Sequence, residues 1–441
     1  MTRLLLERAW LGGEMRSNVL VEIEAGRFVR VEADRPDADA EAVQGLVIPG
    51  LANTHSHAFH RALRGRTQRD RGTFWTWREQ MYAVAERLDP DSYHRLATAT
   101  YAEMVAAGTS AVGEFHYLHH APDGRPYGDH AMERALVDAA ADAGIRITLL
   151  DTVYLSSGFG APVEGVQRRY SDGDVKAWRD RVTALAEHLS PQPHVRVGVA
   201  IHSVRAVPAA DLAVVAETAR DLGAVVHVHV SEQVAENAAC QAAYGRTPTE
   251  LLAEHDLLGP ATSLVHATHL TAHDVARIGA SGCSVSLCPT TERDLGDGIG
   301  PARALGDAGA RLTLGSDSHA VIDPYEEMRA LELDERLATR QRGHFTAAEL
   351  LAAGTHAGHA SLGWDDVGRI EVGARADLVV LDAASARTAG TGASGEAIIF
   401  AASPADVRAV VIDGVRHTPD PAAVGRALAD AIGTLTEQEP A

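Results

Sequence analysis

Two histidines one residue apart, His55 and His57, close the apolar run that begins at Gly45. Alternate side chains of a strand share a face, so both imidazoles can meet one metal ion. The pattern alone says little, because the chain holds 22 histidines and repeats the spacing at His227 and His229. Position gives it meaning. His229 ends a second apolar run, His266 ends a third, and Asp317 follows the run Leu312 to Leu314. Histidine nitrogens with one carboxylate oxygen suit Zn2+ or a similar borderline divalent ion better than Ca2+ or Mg2+, which prefer all-oxygen shells. Such an ion lowers the pKa of a water toward neutrality, so the chemistry in view is metal-assisted hydrolysis.

Residues at strand ends need a scaffold that brings those ends together. Between about Gly45 and Leu362 eight short apolar runs alternate with Ala-rich helical stretches: Gly45 to Asn53, Thr109 to Phe115, Ile145 to Val153, Val195 to His202, Ala224 to Val230, Thr262 to His266, Cys283 to Cys288 and Arg311 to Ser316. About 40 residues per unit fits a strand, a helix and their loops. The arithmetic predicts a (β/α)8 TIM barrel, which carries its chemistry at the C-terminal ends of its strands. The chain ends differ. Val19 to Glu24 and Arg27 to Glu32 flank a Gly26 turn, while Asp377 to Asp382 and Val407 to Ile412 precede Asp413-Gly414. These short strands predict a small β-sandwich built by both termini. The expected division is therefore 1–44 and 366–420 for the two parts of the β-sandwich, 45–365 for the barrel, and 421–441 for a C-terminal helix and tail. Ala383 to Ala397 reads as a loop, and Pro421 to Glu437 as a surface helix.

Composition removes other classes. The 441 residues are 46% hydrophobic, enough for a large core, which excludes a disordered or fibrous chain. A formal charge of -20 repels polyanions and argues against nucleic acid as a partner. No uninterrupted apolar run approaches the roughly 20 residues of a membrane helix, so no membrane partner and a cytoplasmic location are expected. Three cysteines, Cys240, Cys283 and Cys288, form no disulfide framework or thiolate metal site and are read as structural. Lys176 is the only lysine and lies in a polar helix start, which excludes Schiff-base catalysis and a P-loop.

Nearly the whole chain resembles the amidohydrolase superfamily. The likeness rests on Pro49 to Leu63 (PGLANTHSHAFHRAL), His227 to Glu232 (HVHVSE), the His266 strand and Gly315 to Ser318 (GSDS). It implies a metal-dependent hydrolase or deaminase on a (β/α)8 barrel. Many members hold two metals bridged by a carboxylated lysine on strand four; here that strand has no lysine, which implies one divalent ion, Zn2+ first. Phe74 to Tyr82 (FWTWREQMY), Gly113 to His120 (GEFHYLHH) and Cys288 to Ile299 (CPTTERDLGDGI) resemble the branch that hydrolyses N-formimino-L-glutamate to N-formyl-L-glutamate and ammonia in histidine degradation. Ring-directed relatives, acting on a purine, pterin or triazine, usually carry asparagine where this chain has Glu292; they are the alternative reading. His60 departs from that branch, which has glutamine there.

By this resemblance His55, His57, His229 and Asp317 hold the metal, and Asp317 also takes the proton of the attacking water. Glu232 protonates the imine nitrogen and then the departing amine, and His266 hydrogen-bonds the attacking hydroxide. The implied partner is a small dicarboxylate, so an acidic protein must supply local cations. Six arginines fall between 61 and 78 (Arg61, Arg64, Arg66, Arg69, Arg71 and Arg78) against the single acid Asp70. Arg78 and Arg205 match the carboxylate-binding positions, with Tyr117, His202 and His60 as further substrate contacts. Trp75 and Trp77 are expected simply to pack their loop. The architecture implies a homodimer. A scaffold without catalysis would have lost metal ligands that this chain keeps.

Overall fold

The computed structural model describes residues 1–68, 71–72 and 74–436. Four strands open the chain: β1 (Thr2–Leu11), β2 (Glu14–Glu24), β3 (Arg27–Glu32) and β4 (Glu41–Pro49). Eight then form the barrel: β5 (Leu51–Ser56), β6 (Thr109–His116), β7 (Arg146–Val153), β8 (Val195–Ile201), β9 (Val226–Val230), β10 (Thr262–His266), β11 (Ser284–Leu287) and β12 (Arg311–Leu314). Three more follow: β13 (Leu378–Leu381), β14 (Val407–Ile412) and β15 (Val415–His417).

The barrel strands are parallel and pair in chain order from β5 to β12. Helices lie between them, which is why β6 and β7 are buried at every position and read as apolar runs rather than as alternation. The barrel closes where Ser56 bridges Asp317: the Asp317 N–H donates to the His55 carbonyl at 2.9 Å, and the His57 N–H to the Asp317 carbonyl at 3.3 Å. Gly315 permits this seam, since a Cβ there would sit 2.7 Å from the His55 Cβ. Closure thus places the first and eighth strand ends, 262 residues apart in sequence, side by side.

Both termini meet in one seven-stranded mixed sheet, ordered β15-β14-β13-β4-β1-β2-β3. The apolar run expected as the first barrel strand is divided at Gly50. Its front half belongs to β4 in the terminal sheet, and its back half to β5 in the barrel. The two units are locked by Arg146 of β7, which is buried and ion-paired with Asp377 and, at 2.8 Å, with Asp413. The stretch expected as a loop ends in a short helix, Gly395–Ala401, capped by the Ser394 side chain. The last helix runs Pro421–Thr436, and Glu437 lies outside the described residues. Among the described residues no helix is long and apolar enough to cross a membrane.

Candidate metal centre and active site

His55 and His57 lie at the end of β5, His229 on β9 and Asp317 just past β12, all buried, with their donor atoms within 4.8 Å of one another. His229 Nε2 is 3.0 Å from His55 Nε2, and Asp317 Oδ1 is 3.2 Å from His55 Nε2 and 3.3 Å from His57 Nε2. The outer nitrogens decide which atoms face inward. His57 Nδ1 donates to the Phe115 carbonyl at 2.9 Å and His229 Nδ1 to the His202 carbonyl at 2.8 Å, leaving each Nε2 lone pair turned to the centre. Burial pushes His55 down to about 3, and holds His229 well below the usual imidazole range with help from the neighbouring His55. Burial opposes ionisation of Asp317, yet His55 and His57 against its oxygens hold its carboxyl well below the usual range. Neutral imidazoles beside one carboxylate are the donor set that a borderline divalent ion requires, so the residues fit the metal.

His266 closes β10 with its Nε2 3.9 Å from both Glu232 Oε1 and Asp317 Oδ2. Its Nδ1 lies 3.4 Å from Glu292 Oε1, which also accepts the Cys288 N–H at 2.8 Å. Burial opposes a charge on His266, but Glu232, Glu292 and Asp317 outweigh it and raise the imidazole to about 10. His266 and Asp317 both have left-handed backbones, φ 66° and 41°, as do Ser231, Ala267 and His319. Non-glycine residues there are strained, and these five stand at or just past the strand ends that carry the chemistry.

A pocket of about 100 Å3 opens over this cluster. Of the residues singled out from sequence, it brings together His57, His60, Arg78, Tyr117, His202, Arg205, His229, Glu232, His266 and Asp317, with His55 behind them. Arg78 comes from the helix Phe74–Arg87 and lies against the Tyr82 ring at 5.6 Å. Arg205 comes from the loop after β8, its Nε 3.8 Å from the buried Glu236. His60 Nε2 meets the Tyr117 hydroxyl at 2.9 Å.

Two other arginines of the island serve structure. Arg61 and Arg64 each reach Glu103 at 2.6 Å, and Arg64 also donates to the His319 carbonyl. Arg69 and Asp70 lie outside the described residues. Trp77, expected only to pack its loop, lines the pocket edge-on to His60, because the helix carrying Arg78 presents its neighbouring turn to the same opening. The three cysteines are buried and unpaired, and burial pushes the Cys288 thiol well above its usual range.

Several residues were not foreseen. Tyr82, Tyr154, Tyr170 and Gln167 wall the pocket, with Gln167 Nε2 donating to the Tyr82 hydroxyl at 3.1 Å. Glu114 on β6 accepts from Ser56 Oγ at 2.6 Å and from the Ala58 N–H at 2.7 Å, bracketing His57 on both sides. An acid inside an otherwise apolar strand was the available signal. A second grouping, His116, His119 and Glu133, also brings metal-type donors together. Arg181 occupies Glu133 Oε1 at 3.1 Å and pairs with Asp151 and Asp172, so a cation already fills that place and the group ties loops to helices.

The amidohydrolase family model matches residues 46–416. A formimidoylglutamate deiminase of Pseudomonas aeruginosa is 38% identical over 431 residues, covering 94% of each chain. A solved amidohydrolase from Brucella melitensis superposes with a TM-score of 0.91 at 32% identity, covering 99% of this chain and 100% of its own. An adenosine deaminase from Xanthomonas campestris, solved with bound zinc, shares the fold at a TM-score of 0.86 and 24% identity, covering 99% and 98%.

Proposed function

This chain belongs to the amidohydrolase family, and from that premise we propose that it hydrolyses N-formimino-L-glutamate to N-formyl-L-glutamate and ammonia. The observation that carries the reading is one pocket holding both the His/Asp metal cluster and two guanidinium groups, Arg78 from a helix and Arg205 from a loop. A ring substrate has no use for two such cations, whereas a dicarboxylate needs them. Likeness to the Pseudomonas aeruginosa deiminase supports the same substrate.

Planar guanidinium forks at Arg78 and Arg205 pair with the substrate's carboxylates and fix its length along the pocket. The formimino carbon then lies toward Asp317, His266 and Glu232. Zinc held by His55, His57, His229 and Asp317 would acidify a water toward neutrality. Asp317 accepts the proton that the attacking water sheds as the new C–O bond forms. His266, charged and steadied by Glu292, donates to the developing oxygen. Glu232 protonates the imine nitrogen, then takes the adduct's hydroxyl proton and passes it to the same nitrogen; the C–N bond breaks, ammonia leaves, the carbonyl of the formyl group remains, and the proton held by Asp317 returns to Glu232. Hydroxyls of Tyr117 and the imidazoles of His60 and His202 line the path between the two ends.

The test is ammonia release from N-formimino-L-glutamate by zinc-loaded protein, with N-formyl-L-glutamate identified as co-product. Turnover in the micromolar-to-millimolar substrate range is expected. No release from folded, metal-loaded protein would refute the substrate, and release from a purine, pterin or triazine instead would assign the chain to the ring-directed branch.

A further inference from the structure

Arg205 is held firmly at its backbone. Its carbonyl accepts from Ser156 Oγ at 2.9 Å, and the N–H groups of Ala206 and Val207 donate to the Ser203 carbonyl at 3.0 and 3.2 Å. The turn fixes where the side chain starts, while the partly exposed guanidinium lines the pocket. A long side chain fixed only at its root loses rotamer freedom when it grips a ligand, and binding is weakened by that loss.

Glu236 stands behind it, in the first turn of the helix Val234–Tyr244, 3% exposed and outside the pocket lining. Its Oε1 lies 3.8 Å from Arg205 Nε, and both atoms are buried without a hydrogen-bond partner. A buried carboxylate oxygen with no donor is costly unless a charge faces it, and here that charge is Arg205. Burial pushes the Glu236 carboxyl up, and Arg205 is the foremost influence drawing it back. The approach is made through Nε, so the terminal nitrogens remain for a ligand's carboxylate. Glu236 also follows Glu232 by four residues on the segment past β9. One short stretch of chain therefore carries both the proton donor of the proposed reaction and the acid that faces its carboxylate anchor.

We propose that Glu236 is a positioning residue, whose carboxylate sets the direction of the Arg205 guanidinium and through it the spacing between the anchored end of the substrate and Glu232. The inference rests on the dicarboxylate reading for what Arg205 holds, and adds the group that aims it. Glu236 acts through Arg205 and does not touch substrate. Its negative charge by itself weakens the pull of Arg205 on an anion, so what it contributes is aim. Glu236→Asp separates the two effects, because it keeps the charge and withdraws it by one methylene.

The test uses the zinc-loaded full chain. Phenylglyoxal labelling followed by peptide mass spectrometry reads how freely Arg205 reacts, with Arg78 in the same pocket as the internal reference. Glu236→Asp should speed labelling of Arg205 relative to Arg78 by about fivefold, because the guanidinium is no longer held from behind. Glu236→Gln, which keeps the reach and removes the charge facing Nε, should act in the same direction; zinc content and the urea midpoint show that each variant is folded. In steady-state kinetics with N-formimino-L-glutamate, Glu236→Asp should raise KM by about fivefold with the smaller effect on kcat. Introduced into Arg205→Met, the same change should move KM by less than about twofold, since the side chain it aims is gone. Unchanged Arg205 labelling in both variants, or an equal rise in KM with and without Arg205, overturns the proposal. Faster labelling with KM unmoved, or with no turnover of this substrate by the wild type, upholds the aiming of Arg205 and strikes the dicarboxylate reading instead.

Discussion

Glu114 gives the sharpest check on how the metal-bearing strand is held. Its carboxylate is fully buried and accepts from Ser56 Oγ and the Ala58 N–H, the two residues that flank His57. Burial raises it from 4.5 to about 7, against the pull of those two donors. Below its unfolded value the carboxyl is protonated in both states and costs nothing. As pH rises toward the folded value, the unfolded chain gives up its proton while the folded chain keeps it, so stability falls, and the loss is complete above the folded value. The interval integrates to about 3 kcal/mol, of which about 2 kcal/mol falls between about pH 5.5 and about pH 8. Glu114→Gln removes the titration and keeps an acceptor for the Ala58 N–H. Its amide nitrogen can donate to Ser56 Oγ, whose own proton turns to His319 Nε2 at 3.2 Å. Urea unfolding of metal-free wild type and variant across that range should therefore show the variant gaining about 2 kcal/mol relative to the wild type as pH rises. A difference independent of pH would refute the reasoning. Glu114→Ala removes the same titration but leaves the buried Ala58 N–H without an acceptor, so it should lie about 1–3 kcal/mol below Glu114→Gln at every pH.

Replacing Arg205 or Arg78 by Met should raise KM for N-formimino-L-glutamate by about ten- to a hundredfold, with the smaller effect on kcat, as steady-state kinetics will show. Glu232→Gln should keep its zinc by elemental analysis but lose about a hundredfold or more in kcat; full activity would remove Glu232 from proton transfer. Asp317→Asn should abolish turnover, and wild-type rates in that variant would dismiss it as the base. His60→Gln should change kcat/KM by less than about threefold, since an amide can take over the hydrogen bond to Tyr117.

Much of this arrangement was legible in the sequence because barrel strands bury both faces and so appear as apolar runs ending in chemistry-bearing residues. His55, His57, His229, His266 and Asp317 all stand at or just past such ends. What the runs could not give was the partition at Gly50, where one continuous apolar stretch serves two sheets; periodicity does not mark a change of partner. Nor could they reveal Tyr154 and Gln167, which reach the pocket from loops whose path depends on packing across the barrel mouth. Glu292 stood out in sequence only as a departure from ring-directed relatives. Its place beneath His266 follows from the short helix Pro289–Leu295, which turns its first-turn acid back toward the strand ends.

The site's two ends are held by different means, and that difference has a functional consequence. The ligands are fixed by strand pairing, seam closure and, for His57 and His229, backbone carbonyls on their outer nitrogens, so their geometry depends on the barrel itself. Arg78 and Arg205 stand on a helix and a loop beyond the strand ends, and Arg205 has its Nε 3.8 Å from the buried Glu236. Alterations there can shift which molecule is held without disturbing the His/Asp cluster. Glu292 lies between these regimes: it is buried like the ligands but carried on the short helix past β11. The metal-type ligands and the pocket arginines are thus carried by separate elements above the same eight strand ends, and the two can be altered one at a time.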